Sequence, residues 1–474
     1  MDTTRGRTDS IEQRLTDYAS GLNYDALTPE AAHAAKVRVI DTLAALAGGF
    51  DGEPCRIARK MAARMPDADG ATVIGTTIRT TPDMAAFANA TAARYVELND
   101  VYHWPGSAGG HPSDVVMPLL GVAEHARAGG RDLIAAVVLA YEIYLRFSDA
   151  IGRTAFDCAN FSCLGVAVAA GKLLGLSREQ LANAMSMAVV PNNILRRVRT
   201  GHLSMWKAVT AGHAGKAGVF AALLAREGMD GPPQPFEGTS GWCDHIAGKR
   251  FSLEVMGGNG ASFKIQDTMI KPRSSCATTI SSILAAEKVA PSLRNRLAEV
   301  QRVTVETYGR AKIGMGTGEH HWNPDSRETA DHSIPYVVAA ALMDGTVTPK
   351  QFDEAHLRSP ELRALLAKIE VVANDEFTKA YERLPVEHHT RVNVVTRSGE
   401  RFVGEAGGDK GDLSQPKSDA QIAEKFLGVA EEFLGAERAK AILDRLWMLE
   451  GIESVAQIPA GFIKQLKPGE QNDG

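Results

Sequence analysis

The chain has 474 residues, 44% of them apolar and 23% charged, with a formal net charge of −5. That length allows roughly two to four domains of about 150 residues each and a large core without disulfide or metal staples. With no basic block, the bulk charge gives no argument for nucleic acid or an anionic membrane, so an anionic ligand would need a local basic pocket.

The N-terminal stretch "MDTTRGRTDSIEQ" lacks the apolar region of a signal peptide. No run of about 18 apolar residues is found, so no membrane span is expected. The first ten residues and the tail "KPGEQNDG" are polar and expected to fray. Cys55, Cys158, Cys163, Cys243 and Cys276 are scattered, without a CxxC pair. They read as reduced thiols in a cytosol rather than a disulfide frame or a zinc site.

Residues from about 11 to 265 read as mostly helical. Thr28 and Pro29 suit an N-cap and a first helical position. "EAAHAAKVRVIDTLAALAGG" then ends on a glycine pair, a fitting C-terminal stop. Helical runs follow in "DMAAFANATAARYVEL", "DVVMPLLGVAEHARAGG", "RDLIAAVVLAYEIYLRFSDAIG" and "NFSCLGVAVAAGKLLGLS". Ser177 with Gln180 forms a capping-box pattern ahead of another. "SMWKAVTAGHAGKAGVFAALLAREG" is rich in Ala and Gly; small residues at helical spacing let neighbours approach closely, which predicts a central helix.

Near residue 265 the pattern changes. "RVTVETYG" and "RVNVVTRSGERFVGEA" alternate like strands, the second turning at Ser398-Gly399. Helical segments lie between them in "SRETADHSIPYVVAAALMDG", "TPKQFDEAH" and "SPELRALLAKI". "GDKGDLSQPKS" reads as a polar linker, after which two amphipathic helices return to the helical part. The expected fold is therefore mainly α with a smaller α+β domain. Residues 1–267 with 407–474 form the large helical domain, and 268–406 an α+β lid. A cleft between them is the default place for a small ligand.

No GxGxxG after a strand, P-loop, GxSxG or HExxH is present. The pairs His320-His321 and His388-His389 make poor chelates, because adjacent residues do not share a face. No metal is expected. The densest polar run of the helical half is "ELNDVYHWPGSAGGHPSD", holding Glu97, Asp100, His103, His111 and Asp114. Ser113 or Asp114 can cap the next helix. From spacing alone, His111 is either a loop residue with a satisfied side chain or a catalytic imidazole able to take and give a proton near neutrality. Lys207, in "HLSMWKAV", and Lys271, in "MIKPRSSC" beside Arg273, enter apolar runs. An unpaired buried ammonium is costly, so each either snorkels outward or meets an anion. Arg196, Arg197 and Arg199 read mostly as solvated surface charge.

Taken together, "LNDVYHWPGSAGGHPSDVVMP", the lysine-bearing "SMWKAVTAGHAGKAGVFAALLAREG", "IKPRSSCATTISS" and "SRETADHSIPYVVAAALMDG" resemble, in order and over about residues 12–460, the MmgE/PrpD family. Its members include 2-methylcitrate dehydratase, cis-aconitate decarboxylase and an iminodisuccinate epimerase. The resemblance implies a cytoplasmic homodimer that works without cofactor on a small di- or tricarboxylate. It implies His111 as the active-site histidine, Lys207 and Lys271 as pocket lysines, and Tyr308 and Asp100 as further catalytic candidates. His103, Arg273, Asp157 and Cys276 are the implied substrate contacts. Glu97 stands where members often have Asp, Val101 where they have Thr, and Cys276 where the decarboxylases have a histidine. Asp157, beside Phe156, is likewise more like the dehydratases. The implied chemistry is a hydro-lyase of the 2-methylcitrate dehydratase type. In it, lysines bind substrate carboxylates and His111 moves a proton with Tyr308 or Asp100 as counterpart. An epimerase, a decarboxylase and a non-catalytic carboxylate binder are the alternatives.

Overall fold

The computed structural model describes residues 9–253 and 255–465. Of the ends expected to fray, Asp9 and Ser10 are placed: Asp9 is buried and caps the helix Ser10–Gly21 through the Glu12 N–H. Residues 1–8 and the tail "KPGEQNDG" lie outside the described residues.

The helical domain forms as its punctuation predicts. Thr28 accepts from the Ala31 N–H and Pro29 opens the helix Pro29–Gly49. Ser177 and Gln180 close a reciprocal capping box ahead of Arg178–Val189. The helix Trp206–Arg226 packs on Pro82–Tyr95 and on Ala159–Leu173. Its glycines make that closeness possible. A Cβ on Gly212 would sit 2.5 Å from the Phe87 carbonyl oxygen and collide with the Thr91 hydroxyl, and one on Gly218 would sit 2.6 Å from the Cys163 carbonyl oxygen. Trp206–Arg226 is long and apolar enough to cross a membrane by length and composition, against the expectation that no such run exists; 67% of its most apolar window is buried inside the molecule. The short hairpin of Pro66–Thr72 with Arg79–Thr80 has no counterpart in the sequence reading.

The smaller domain is a four-stranded sheet in the order Ile369–Ala373, Val300–Thr307, Thr390–Thr396, Arg401–Ala406. The first pair is parallel, with Val303 opposite Ile369, and the others are antiparallel, with Val305 opposite Val392 and Val394 opposite Phe402. The strand Ile369–Ala373 escaped the sequence reading because a parallel partner arrives through a crossover, without a hairpin signal. The helices Ile280–Val289 and Ile334–Asp344 cover the sheet. Gly404 permits it, since a Cβ there would strike the Ala285 carbonyl oxygen. The stretch read as "TPKQFDEAH" is a 3-10 turn, Pro349–Phe352, followed by the single helical turn Glu354–Leu357.

Two large buried apolar clusters result. One runs from Ile11 to Ile270 and is completed by Ile422 to Phe462; the other holds Met269 to Leu413 and takes in Val101 from the helical half. Overfilling a close helix contact typically costs about 1–3 kcal/mol. Gly212→Ala is accordingly expected to lower unfolding stability by about that amount, read as a lower urea midpoint at unchanged slope.

Candidate functional site

The site is assembled by short backbone bridges between distant segments. Val101 and Met269 exchange N–H···O bonds of 2.9 and 2.8 Å, which draws the segment carrying Lys271 beside the polar loop. Tyr102 and Gly110 pair in the same way, at 2.9 and 3.2 Å, folding that loop back on itself. Gly110 has φ +121°, and a Cβ there would collide with the Tyr144 hydroxyl and lie 2.6 Å from the Cys158 sulfur. The glycines ahead of His111 thus let its loop lie directly on the helix Gly130–Ile151.

At the centre is Glu97, buried and left-handed at φ +53°, just past the helix Pro82–Tyr95. Its Oε1 lies 2.7 Å from Arg94 Nη1 and 3.2 Å from Lys207 Nζ, and its Oε2 lies 3.0 Å from Lys271 Nζ. Burial alone would raise this carboxyl, but the Arg94, Lys207 and Lys271 charges hold it well below the usual range. Lys207 Nζ also donates to both oxygens of Asp331, at 2.8 and 2.9 Å. Lys271 Nζ also donates to the Ser275 carbonyl at 3.1 Å. Both lysines therefore meet anions instead of snorkelling. Burial lowers the Lys271 ammonium, and Glu97 opposes that. Burial also pushes the Asp114 carboxyl, 3.6 Å from Arg94 Nε, up to about 7.

His111 is half-buried at the edge of this cluster. Its backbone N–H donates to the Tyr144 hydroxyl at 3.1 Å, and its Nδ1 lies 2.9 Å from the Asp100 carbonyl oxygen. A carbonyl only accepts, so Nδ1 carries the hydrogen and Nε2 is left with a lone pair. Burial first, then the Arg94 charge, hold the ring well below the ordinary imidazole range, so it is neutral near pH 7. Asp100 is a strut. Its Oδ1 accepts from the Ser113 N–H at 3.1 Å and its Oδ2 from the Tyr141 hydroxyl at 2.9 Å, fixing the loop around His111.

The other expected residues divide. Cys276 joins the cluster beside His332, whose Nδ1 lies 2.5 Å from Asp331 Oδ1. His103 lies on the far side, with Nδ1 3.2 Å from His388 Nε2. Tyr308 is buried, donates to the Thr278 carbonyl at 3.3 Å, and stacks on Tyr381 at 4.3 Å between ring centres. Asp157 holds Arg199, Oδ2 to Nε 2.8 Å, and caps the helix Ala159–Leu173 through the Ala159 N–H. Arg273 is not brought to the site: its Nε and Nη2 pair with Glu287 at 2.6 and 2.8 Å.

Two groups went unread in the sequence. Arg199 is not surface charge: both its Nη atoms are buried without a hydrogen-bond partner. Burial first, then the nearby Arg196 and Arg310 charges, brings Arg153 down to about 10, and burial lowers Arg196 as well. Unmet positive charge of that kind is what a polyanionic ligand would answer. The second group is His388 with Asp412. His388 Nδ1 lies 3.0 Å from Asp412 Oδ1, and Asp412 also accepts from the backbone N–H groups of His388, Gly408 and Ser414. The stretch read as a linker therefore supplies the end of a carboxylate–imidazole–imidazole chain, and His388 serves that chain alone. Among the described residues, no group of three His, Cys, Asp or Glu is placed to hold a metal ion.

The description MmgE/PrpD N-terminal domain matches residues 13–254, and MmgE/PrpD C-terminal domain matches 274–449. Human cis-aconitate decarboxylase is 26% identical, over 94% of this chain and 92% of its own. The mitochondrial 2-methylcitrate dehydratase of Yarrowia lipolytica is 27% identical, over 80% of this chain and 75% of its own. The 2-methylcitrate dehydratase of Escherichia coli is 24% identical, over 82% and 83%.

The neutral imidazoles set a pH dependence. His103, like His111, is held well below the ordinary value, first by burial and then by His388. The unfolded chain binds protons that these rings refuse in the folded state. The stability they contribute is complete above about pH 6.5 and is lost as pH falls toward their lowered values. The urea midpoint is expected to drop between about pH 6.5 and 5. His111→Asn, which keeps a donor for the Asp100 carbonyl, should make that drop shallower; an equally steep drop would assign it to other groups.

Proposed function

The chain belongs to the MmgE/PrpD family, and on that premise we propose that it is a cofactor-independent hydro-lyase of the 2-methylcitrate dehydratase type, acting on a small di- or tricarboxylate. The observation that carries this reading is the neutral His111. Its Nδ1–H is committed to a backbone carbonyl and its Nε2 lone pair is left free, near buried ammonium groups.

In this mechanism His111 Nε2 takes the proton from the carbon next to a substrate carboxylate. Negative charge then develops on that carboxylate as the aci-form. A preorganised positive field in a site shielded from water is most effective at that moment. Lys207 and Lys271 supply it, and Glu97 and Asp331 hold them in place. Because these lysines already have carboxylate partners, substrate recognition falls chiefly on the unpartnered Arg199 nitrogens and on Arg153, Arg196 and Arg310. Bidentate guanidinium–carboxylate bonds are strong and directional, which suits a substrate with two or three carboxylates. Asp100 acts as a positioning residue for His111, and Asp157 for Arg199. Tyr308 and His103 border the pocket opposite, with His388 and Asp412 orienting His103. The proposal also places the protein in the cytoplasm as a homodimer, with the lid over residues 268–406. Light scattering on the purified protein is expected to give twice the chain mass of 50.7 kDa.

Proton NMR in deuterated buffer with 2-methylcitrate, citrate, cis-aconitate and iminodisuccinate tests the chemistry. The expected outcome is deuterium at the carbon next to a carboxylate and loss of the hydroxyl. Loss of carbon dioxide instead would make the protein a decarboxylase, and exchange with inversion alone an epimerase. His111→Ala is expected to slow turnover by about 10²–10⁴-fold with the fold intact; unchanged turnover removes His111 from the mechanism.

A further inference from the structure

Cys276 differs in setting from the other four cysteines. Its thiol lies 3.2 Å from the Thr278 hydroxyl, and the His332 ring stands close enough for its charge to act on the thiol. His332 Nδ1 lies 2.5 Å from Asp331 Oδ1, and Asp331 is held in turn by Lys207. The two segments are clamped together. The Cys276 N–H donates to the Asp331 carbonyl at 2.9 Å, and the Ser275 hydroxyl donates to the same oxygen at 2.7 Å. Thiol, imidazole and carboxylate stand in file, the arrangement by which a base and its orienting group make a thiol acidic.

We propose that Cys276, backed by His332 and Asp331, is the proton donor to the departing hydroxyl, working opposite His111. The proposal rests on the hydro-lyase reading above. His111 Nε2 takes the carbon-bound proton, and the C–H electron pair becomes the new C=C bond. The C–O bond breaks with its pair on oxygen, and the Cys276 S–H proton passes to that oxygen. Water and the unsaturated acid leave. A thiolate remains beside the His332 imidazolium, and it regains a proton from solvent as His111 gives one up.

The environments leave the two groups in different protonation states near neutrality. Burial and the cationic neighbours keep His111 neutral, with the Nε2 lone pair free to accept a proton. Burial acts to raise the Cys276 thiol, but the His332 charge and hydrogen bond outweigh it and bring the thiol down to about 7. Burial acts to lower His332, and Cys276 and Asp331 together bring it up to about 9. Burial pushes Cys55 and Cys163 up to about 12 and Cys158 up to about 11. The charged or titratable groups facing the pair from other elements are Glu97, Lys207, Lys271, Tyr308, Tyr381 and His321. An acid titrating near neutrality is half-protonated there, where donation to a leaving hydroxyl is efficient.

Two measurements on the full chain test this. Iodoacetamide alkylation, followed by mass spectrometry on the Cys276 peptide, should have a rate midpoint near pH 7. That midpoint should rise by about one pH unit or more in His332→Gln. A midpoint near the ordinary thiol value of about 8.5, or one unmoved by the substitution, overturns the pairing. In turnover, wild type should lose rate above about pH 7. Cys276→Ser should lower kcat by about 100-fold with KM little changed and abolish that alkaline loss; a retained loss overturns the donor role. If wild type turns over none of the four acids yet alkylates with a midpoint near 7, the hydro-lyase reading and the donor role fall while the Cys276–His332 pair stands.

Discussion

The structure depends on keeping buried positive charge answered. Arg94, Lys207 and Lys271 are withdrawn from water around one carboxylate, Glu97, with Asp331 as the second. Removing one partner from a buried network of this kind leaves an uncompensated charge and costs about 3–5 kcal/mol. The network also crosses the fold. Arg94, Glu97 and Lys207 come from the helical part, while Lys271 and Asp331 come from the segments that enter the small domain. The same bonds therefore set both the relative placement of the two parts and the field inside the site. Glu97 accepts a left-handed backbone to stand there, a strain that persists only where surrounding contacts fix it.

Around this centre the site is graded by charge state. His111 is neutral because burial and cations disfavour its protonation, and its Nε2 lone pair is free because Nδ1 is spent on a backbone carbonyl. Cys276 and His332 lie near the same lysine pair, with Asp331 holding the imidazole. Neither half depends on an unusual residue type. The difference arises from which groups each one faces, and one fold can serve elimination, epimerisation or decarboxylation by changing only those neighbours.

Much of this was legible in the sequence where local rules apply. The caps at Thr28 and Ser177, the close helix contacts at Gly212 and Gly218, and the hairpin turn at Ser398-Gly399 follow from residue chemistry alone. A histidine on a glycine-shaped loop and lysines in apolar runs likewise singled out His111, Lys207 and Lys271, and the fold gathers all three near Glu97. What escaped was convergence. His388 and Asp412 reach His103 across 285 residues of chain, and Asp412 sits in a stretch polar enough to pass for a linker. Arg199 looks like one of three surface arginines until its neighbours bury it. Asp100 looks catalytic until its two oxygens are seen to be taken by Ser113 and Tyr141.

The departures at Glu97 and Cys276 make one consistent change when considered together. A glutamate is one methylene longer than an aspartate, and here its two oxygens span Lys207 and Lys271 at once. That pairs both lysines internally, while the Arg199 Nη atoms stay buried without a hydrogen-bond partner. At 276 a thiol stands near His332, which is held by Asp331, and Lys207 grips that carboxylate too.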